Sequence, residues 1–199
     1  MKTIILLFML STSIFALHIN ESLLKVHATL VPKISLMDYK FSEKLKNNTI
    51  TIAIMYNKSE YKDAKFLKDK IDTRYQNGIQ SYKVKSKLVL YSNVKQAQAN
   101  VYYLFPTSEH NIIRTIEQAQ ENSALTFSYL QDDLKYGVMI SLNIGNKIKP
   151  VLNLEAIKMY NIALRPVLLD ISSIYMHEPY SALESYKIRG LYNFMQYMA

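Results

Sequence analysis

The stretch from Gly137 to Ile171 constrains this 199-residue chain more than any other. It reads as strand, tight turn, strand, one asparagine, and a helix interrupted by proline. Val138-Met139-Ile140-Ser141-Leu142 is a short apolar strand, Gly145-Asn146 turns the chain, and Ile148 to Leu152 returns as the hairpin partner. Asn153 stands where the sheet gives way to Leu154-Glu155-Ala156-Ile157. Asparagine suits that N-cap, because its side-chain oxygen accepts an orphan amide of the first turn. Further on, Asn161 tolerates the left-handed backbone of a mid-helix break, and Pro166 suits the first position of a restarted helix.

Upstream, strands alternate with helices. Thr49 to Tyr56 is an apolar, β-branched run, and Ala64, Leu67, Ile71 and Tyr75 follow at helical spacing behind a Ser59 cap, with Gly78 closing that helix. From Tyr82 the period switches to two, with Tyr82, Val84, Leu88 and Leu90 on one face and Lys83, Lys85 and Lys87 on the other. Three lysines on one strand face suit solubility and edge protection better than a binding groove. A short helix over 92–99 precedes the strand Val101-Tyr102-Tyr103-Leu104-Phe105, which stops at Pro106. Ser108 caps a helix with Ile112, Ile113, Ile116 and Ala119 as its stripe; Ala124 to Phe127 is the next strand, and Ser128 to Tyr136 a polar connection. The expected architecture is an α/β fold: a mostly parallel sheet flanked by helices on both faces, with a C-terminal β-hairpin followed by a broken helix.

Two amphipathic ends lie outside that alternation. An opening helix carries Leu23, Val26, Leu30, Ile34 and Met37 on one stripe, with Pro32 expected to kink it. After Pro179, Leu183, Tyr186, Leu191, Phe194 and Met198 fall near one helical face, which predicts an extra C-terminal helix over about 180–198. Such a stripe docks on its own core, on a partner, or on a membrane surface. There is no repeat, low-complexity tract or linker, so residues 17–199 are read as a single domain.

Residues 1–16 read as a cleavable signal peptide: Lys2, an unbroken apolar run from Ile4 to Leu10, and Ser11 to Ala16 as the cleavage region. The apolar run is far shorter than the ~20 residues that span a bilayer. The expected location is therefore the periplasm. The chain has no cysteine, so it forms no disulfide and carries no acylated N-terminal cysteine. Its formal charge is +8, and it has sixteen tyrosines. Lysines with aromatics suit nucleic acid, but export argues against that partner. A solvated lysine surface, or contact with anionic lipid or cell wall, remains.

Catalytic chemistry is thin. His18, His27, His110 and His177 make no metal-ligand pair, and no cysteine completes a soft site. His27 is expected as a satisfied, half-buried side chain on the opening helix. Asp132-Asp133 is the one close carboxylate pair and reads as solvated turn residues rather than a cation site. Four scattered glycines build no phosphate loop, and Ser59, Ser108 and Ser172 lack a Gly-x-Ser-x-Gly setting. The expectation is a non-enzymatic protein with no metal and no cofactor.

The Leu152-Asn153-Leu154-Glu155-Ala156 segment and Val167-Leu168-Leu169 resemble the C-terminal signature of the YfiR family, in which a hairpin leads into an Ile-Asn-Leu-x-Ala segment and a paired-leucine helix. Leu24-Lys25-Val26-His27-Ala28 and Pro32-Lys33-Ile34 lie where the family has its opening helix. The letters depart in places: the family usually has glycine at the helix break and Ser-Ser before the leucines, where this chain has Asn161 and Arg165-Pro166. Met37-Asp38-Tyr39 stands where a Trp-Pro pair is common. The pattern spans residues 21 to 176.

The resemblance implies a periplasmic regulator that restrains a membrane-bound diguanylate cyclase by binding its periplasmic sensor part, thereby limiting cyclic di-GMP. It also implies an outer-membrane or cell-wall partner. Disulfide tuning, used by some relatives, is closed to this chain. A homodimer stays open, since nothing in the sequence fixes oligomeric state. The partner-binding candidates are Asn153, Glu155, Lys158, Tyr160 and Arg165. The alternative is a periplasmic small-molecule or anion-binding module. Its ligand would sit beyond the strand ends at Tyr56, Phe105 and Phe127, near the helix-start amides of Ser59 and Ser108.

Overall fold

The computed structural model describes residues 19–145, 147–160 and 162–176. The expected leader at 1–16, the expected tail helix at about 180–198, Asn146 of the turn and Asn161 of the helix break lie outside the described residues. Seven strands form one sheet: β1 (Thr49–Tyr56), β2 (Lys83–Leu90), β3 (Val101–Leu104), β4 (Leu125–Ser128), β5 (Ile140–Ile144), β6 (Ile148–Leu152) and β7 (Ser173–Ile174). Their spatial order is β2-β1-β3-β4-β5-β6-β7. Neighbours from β2 through β5 are parallel, β5 and β6 form the antiparallel hairpin, and β6 and β7 are parallel again. The expected class, a mostly parallel sheet with a late hairpin, is what the chain adopts.

From Ile52 to Tyr56 β1 is apolar and continuously buried because both its faces are covered. Ile50, Ile52 and Ile54 pack beneath α1 (Glu21–Ser35) and α2 (Tyr61–Arg74), while Ala53 and Met55 face the side covered by α3 (Glu109–Glu121). Continuous burial of this kind is the signature of a central parallel strand. β2 is the sheet's outer strand, and Lys83 and Lys85 are exposed along it, as expected for a protected edge.

The two-residue β7 was not foreseen, and its brevity has a visible cause. Asn153 donates its N–H to Met139, whereas the Leu152 carbonyl accepts from Tyr175. By that alternation the nitrogen of Pro150 faces the β7 side, where it has no hydrogen to give. Pairing accordingly starts one residue later, at Val151 opposite Ser173.

Several local expectations are corrected. The buried stripe of α1 is Leu24, His27, Ala28, Val31 and Ile34 rather than the Leu23, Val26, Leu30, Ile34, Met37 set, while Pro32 lies inside the helix, which ends at Ser35. Asn20 sets that phase, its side chain accepting from the amides of Ser22 at 2.8 Å and Leu23 at 3.2 Å. Ser59 is not the cap of α2. Asn57 begins a 3₁₀ turn over Lys58–Glu60 that leads into the helix, and the Glu60 carboxylate accepts the Asn57 amide at 2.9 Å. In α3, Ile113 is exposed, and Thr115 and Gln118 take the buried places beside Ile112, Ile116 and Ala119.

His27 is fully buried rather than half-buried. Its ring stacks on Tyr129 at 5.8 Å and meets Tyr103 edge-on at 5.5 Å, with Nδ1 at 2.9 Å from the Tyr103 hydroxyl. Nε2 is buried without a hydrogen-bond partner among the described residues. Burial favours the neutral ring and pushes its pKa from 6.5 down to about 4. Because the folded-state value is depressed, the unfolded chain takes up the proton first. Stability is therefore full above pH 6.5 and falls as the pH drops from there toward 4. The loss is roughly 3 kcal/mol at most, at about 1.4 kcal/mol per unit. Thermal unfolding followed between pH 7 and pH 4 is expected to show this decline, and His27→Phe, which keeps a ring between the two tyrosines, is expected to flatten it.

Candidate functional site

β6 ends at Leu152, and the chain must leave the sheet ladder for a helix of only six residues, α4 (Leu154–Met159). Asn153 makes that exchange. Its Oδ1 accepts the Ala156 amide at 3.0 Å, its Nδ2 donates to the Leu134 carbonyl at 2.8 Å, and its own N–H goes to Met139 at 2.9 Å. The expected N-cap is present, and it also ties α4 to the 3₁₀ segment Gln131–Tyr136. Gly137 ends that segment with φ +100°, a left-handed backbone that favours glycine. Within it, Asp133 is buried rather than solvated, and Ser128 Oγ hydrogen-bonds its carboxylate. Burial raises the Asp133 pKa.

These ties join two walls at the base of a groove. Leu134, Lys135, Tyr136 and Gly137 line one side of a groove of about 250 Å³; Asn153, Glu155, Ala156, Met159 and Tyr160 line the other, and Tyr175 also lines it. Ala156 and Ile157 anchor α4 in the core, which turns Glu155, Lys158 and Met159 outward. Lys135 Nζ sits 4.8 Å above the Tyr136 ring. The Tyr160 hydroxyl has a raised pKa, chiefly through burial and then through the Glu117 carboxylate.

Of the five partner-binding candidates, Asn153, Glu155 and Tyr160 meet in this groove, and Lys158 is exposed on the same short helix. Arg165 is elsewhere. As the N-cap of α5 (Pro166–Ile171) it donates its N–H to Met37 at 2.7 Å and lays its guanidinium 5.2 Å from the Tyr39 ring. With Val167, Asp38 and Tyr82 it lines a separate cavity of about 280 Å³. Pro166 occupies the first turn of α5, as expected.

The alternative set sits at the strand ends. Tyr56, Phe105 and Phe127 are buried there, Ser59 Oγ donates to Glu60, and Ser108 begins α3. Between β1 and β3 the Asn57 amide bridges to Pro106 O and Thr107 Oγ1, both at 3.3 Å, and the Tyr91 hydroxyl donates to Phe105 O at 2.6 Å. Among the described residues no cluster of three potential metal ligands occurs, and no helix is long and apolar enough to cross a membrane.

Sequence reasoning named Val167 only as part of the family resemblance, and Met159, Ile171 and Met176 were not picked out as exposed apolar side chains. Met159 is 73% exposed, Val167 54%, Ile171 56% and Met176 78%. The available signal was the run Val167-Leu168-Leu169-Asp170-Ile171: a six-residue helix has one inward face, and only Leu168 occupies it.

The sequence profile of the family described as YfiR/HmsC-like matches residues 40–173. No curated protein matches the chain. Among solved structures, a conserved domain protein from Vibrio cholerae O1 biovar eltor shares the fold at a TM-score of 0.54 and 13% identity, over 76% of this chain and 59% of that one. An ABC domain in complex with L-Trp from Streptococcus pneumonia gives a TM-score of 0.48 at 11% identity, over 72% and 62%. A substrate binding protein with adhesive properties from Clostridium difficile gives 0.48 at 15%, over 63% and 54%. The chain thus spans less than two thirds of the length of each.

The Asn153 ties are separable. Asn153→Ala removes the cap and strands the Leu134 carbonyl, an expected cost of about 2–4 kcal/mol in urea unfolding. Asn153→Ser, which restores only the cap, is expected to recover about half.

Proposed function

This chain belongs to the YfiR/HmsC-like family, and from that membership we propose that it is an exported, non-enzymatic regulator that binds the periplasmic sensor part of a membrane-bound diguanylate cyclase and restrains it, lowering cyclic di-GMP. The observation that carries the reading is the exposed apolar surface of α4 and α5, beside the groove that Asn153 lines. Met159, Val167 and Ile171 stand more than half in water on elements whose inner faces are locked into the core. A partner that covers them gains the apolar area it buries.

Restraint of this kind needs only unequal affinity for two conformations of the cyclase. A tenfold change in output corresponds to about 1.4 kcal/mol of preference. Fully burying one methionine side chain contributes about 1.5–3 kcal/mol. Met159, 73% exposed, covered in one conformation and left in water in the other, therefore supplies a preference of that order. Glu155 and Lys158 add charges of opposite sign on the same helix, which set orientation and encounter rate more than affinity.

Deleting the gene is expected to raise cellular cyclic di-GMP, and the chain supplied with an export signal, but not without one, is expected to reverse the rise. Met159→Glu in the exported chain is expected to abolish that reversal while leaving the thermal midpoint unchanged, since the residue is already in water. Unchanged cyclic di-GMP on deletion would sink the reading and turn attention to ligands of the purified protein.

A further inference from the structure

We propose that the corner of the sheet formed by β1 and β2 is a docking surface for an anionic phospholipid bilayer, with one lipid phosphate in the cavity beside Thr51 and the lysines of β2 on neighbouring headgroups. The corner lies on the face of the sheet opposite α1 and α2. β1 and β2 pair with Thr49 beside Lys83, Thr51 beside Lys85 and Ala53 beside Lys87. Ile50, Ile52, Ile54, Val84, Leu88 and Leu90 turn toward α1 and α2, so these threonines and lysines share the other face. α3 and the 3₁₀ segment Tyr91–Gln96 cover that face only farther along, where Ala53, Met55 and Val89 pack with them.

The charge on this corner is of one sign. Lys46, Lys83 and Lys85 are exposed, and none has an ion pair among the described residues. Between Asp72 and Glu109 the chain carries Arg74, Lys83, Lys85, Lys87 and Lys95 and no carboxylate; between Glu43 and Glu60 it carries Lys44, Lys46 and Lys58 and none. α2, on the opposite face, is built differently, with Lys65 and Lys68 each paired to an aspartate four residues on. Edge protection accounts for lysines on β2. It does not call for the cation of a separate turn to meet them on a face cleared of acids.

That turn lines a cavity of about 150 Å³ with Thr49, Thr51, Asn100 and Asn122, and no carboxylate lines it. Asn100 forms its floor, accepting the Thr51 amide at 2.9 Å and donating to the Lys44 carbonyl at 3.0 Å. Lys44 is held by Asp38 at 2.6 Å, and Lys87 donates to the Gln98 carbonyl at 2.7 Å, which leaves Lys46 as the cation for a ligand. The volume is below that of an ordinary small-molecule site and suits a single phosphate group. Lys83 and Lys85 stand about 6.6 Å apart along the strand, in one plane with the cavity mouth. A leaflet offers headgroup phosphates in a plane, and each lysine brought to it strengthens binding about fivefold.

The docking stands apart from the function proposed above, whereas its consequence rests on it. Five strand spacings, about 24 Å, separate β2 from β6. The chain therefore lies on the membrane by one edge of its sheet while α4, at the other, stays free for the cyclase.

The full-length chain is sedimented at low salt with vesicles of phosphatidylcholine alone and of phosphatidylcholine and phosphatidylglycerol in a three-to-one mixture. Binding to the anionic vesicles is expected to be about tenfold tighter or more, and to weaken as salt is raised. Lys83→Gln with Lys85→Gln is expected to weaken it about 25-fold, and Lys46→Gln, outside the strands, about fivefold. Lys33→Gln with Lys62→Gln, an equal change of charge on exposed positions of α1 and α2, is expected to have far less effect. Thermal midpoints are expected to hold in all variants, which separates lost binding from lost folding. Equal binding to the two kinds of vesicle overturns the proposal, and so do equal losses from the β2 pair and the α1–α2 pair. A complex with polyglutamate that depends on Lys83 and Lys85, without vesicle binding, also overturns it and assigns the surface to an acidic protein. No arm measures cyclic di-GMP, so the membrane and the cyclase readings fail separately.

Discussion

The side chain of Asn153 is where the two halves of this structure are joined. A parallel sheet that ends in a hairpin leaves its last carbonyls and the first amides of the following helix facing one another, and water has little access at that depth. One amide side chain satisfies a donor on α4 and an acceptor on the neighbouring 3₁₀ segment, while its backbone continues the ladder to Met139. An aspartate offers no donor there and a serine has shorter reach. That set of bonds fixes the start of α4 against the neighbouring 3₁₀ segment.

Several groups with shifted proton affinities lie inside the fold. His27 and Asp133 have raised or lowered proton affinities, but each is packed among the elements it fastens: His27 between α1 and the aromatic layer of Tyr103, Phe105 and Tyr129, Asp133 between Ser128 and the turn that follows. Tyr91 and Tyr103 hold their protons well above the ordinary range, chiefly through burial. These shifts report desolvation inside the fold. Around α4 and α5 the exposed side chains are apolar Met159, Val167 and Ile171 interspersed with charged Glu155, Lys158, Arg165 and Asp170.

Period and punctuation made the sheet legible in sequence. β1, β2, β3 and the hairpin each carry an unambiguous run, and Asn153 and Pro166 mark helix starts whose chemistry is local. The misreadings arise where burial depended on distant partners. Leu23 and Leu24 compete for the inward place on α1, and Asn20 decides between them through two hydrogen bonds that apolar spacing does not encode. A histidine counts as polar in any pattern, so the burial of His27 beneath two tyrosines from far along the chain was hidden. Of the partner-binding candidates, the Asn153 cluster was within reach because its members are neighbours on one short helix. Arg165 was grouped with them by sequence proximity, and the turn between α4 and α5 sends it to a different cavity beside Tyr39.

The two sheet edges differ in kind. At one side, eight residues of β2 present a long open strand whose outward lysines would face those of any second copy that tried to extend the sheet. At the other, β7 has two residues, and the ladder cannot lengthen past Pro150. Polymerisation through the backbone is thus opposed by charge at one end and by a missing hydrogen at the other. The exposed apolar side chains of α4 and α5 are thus left to contacts made through side chains rather than through a sheet edge.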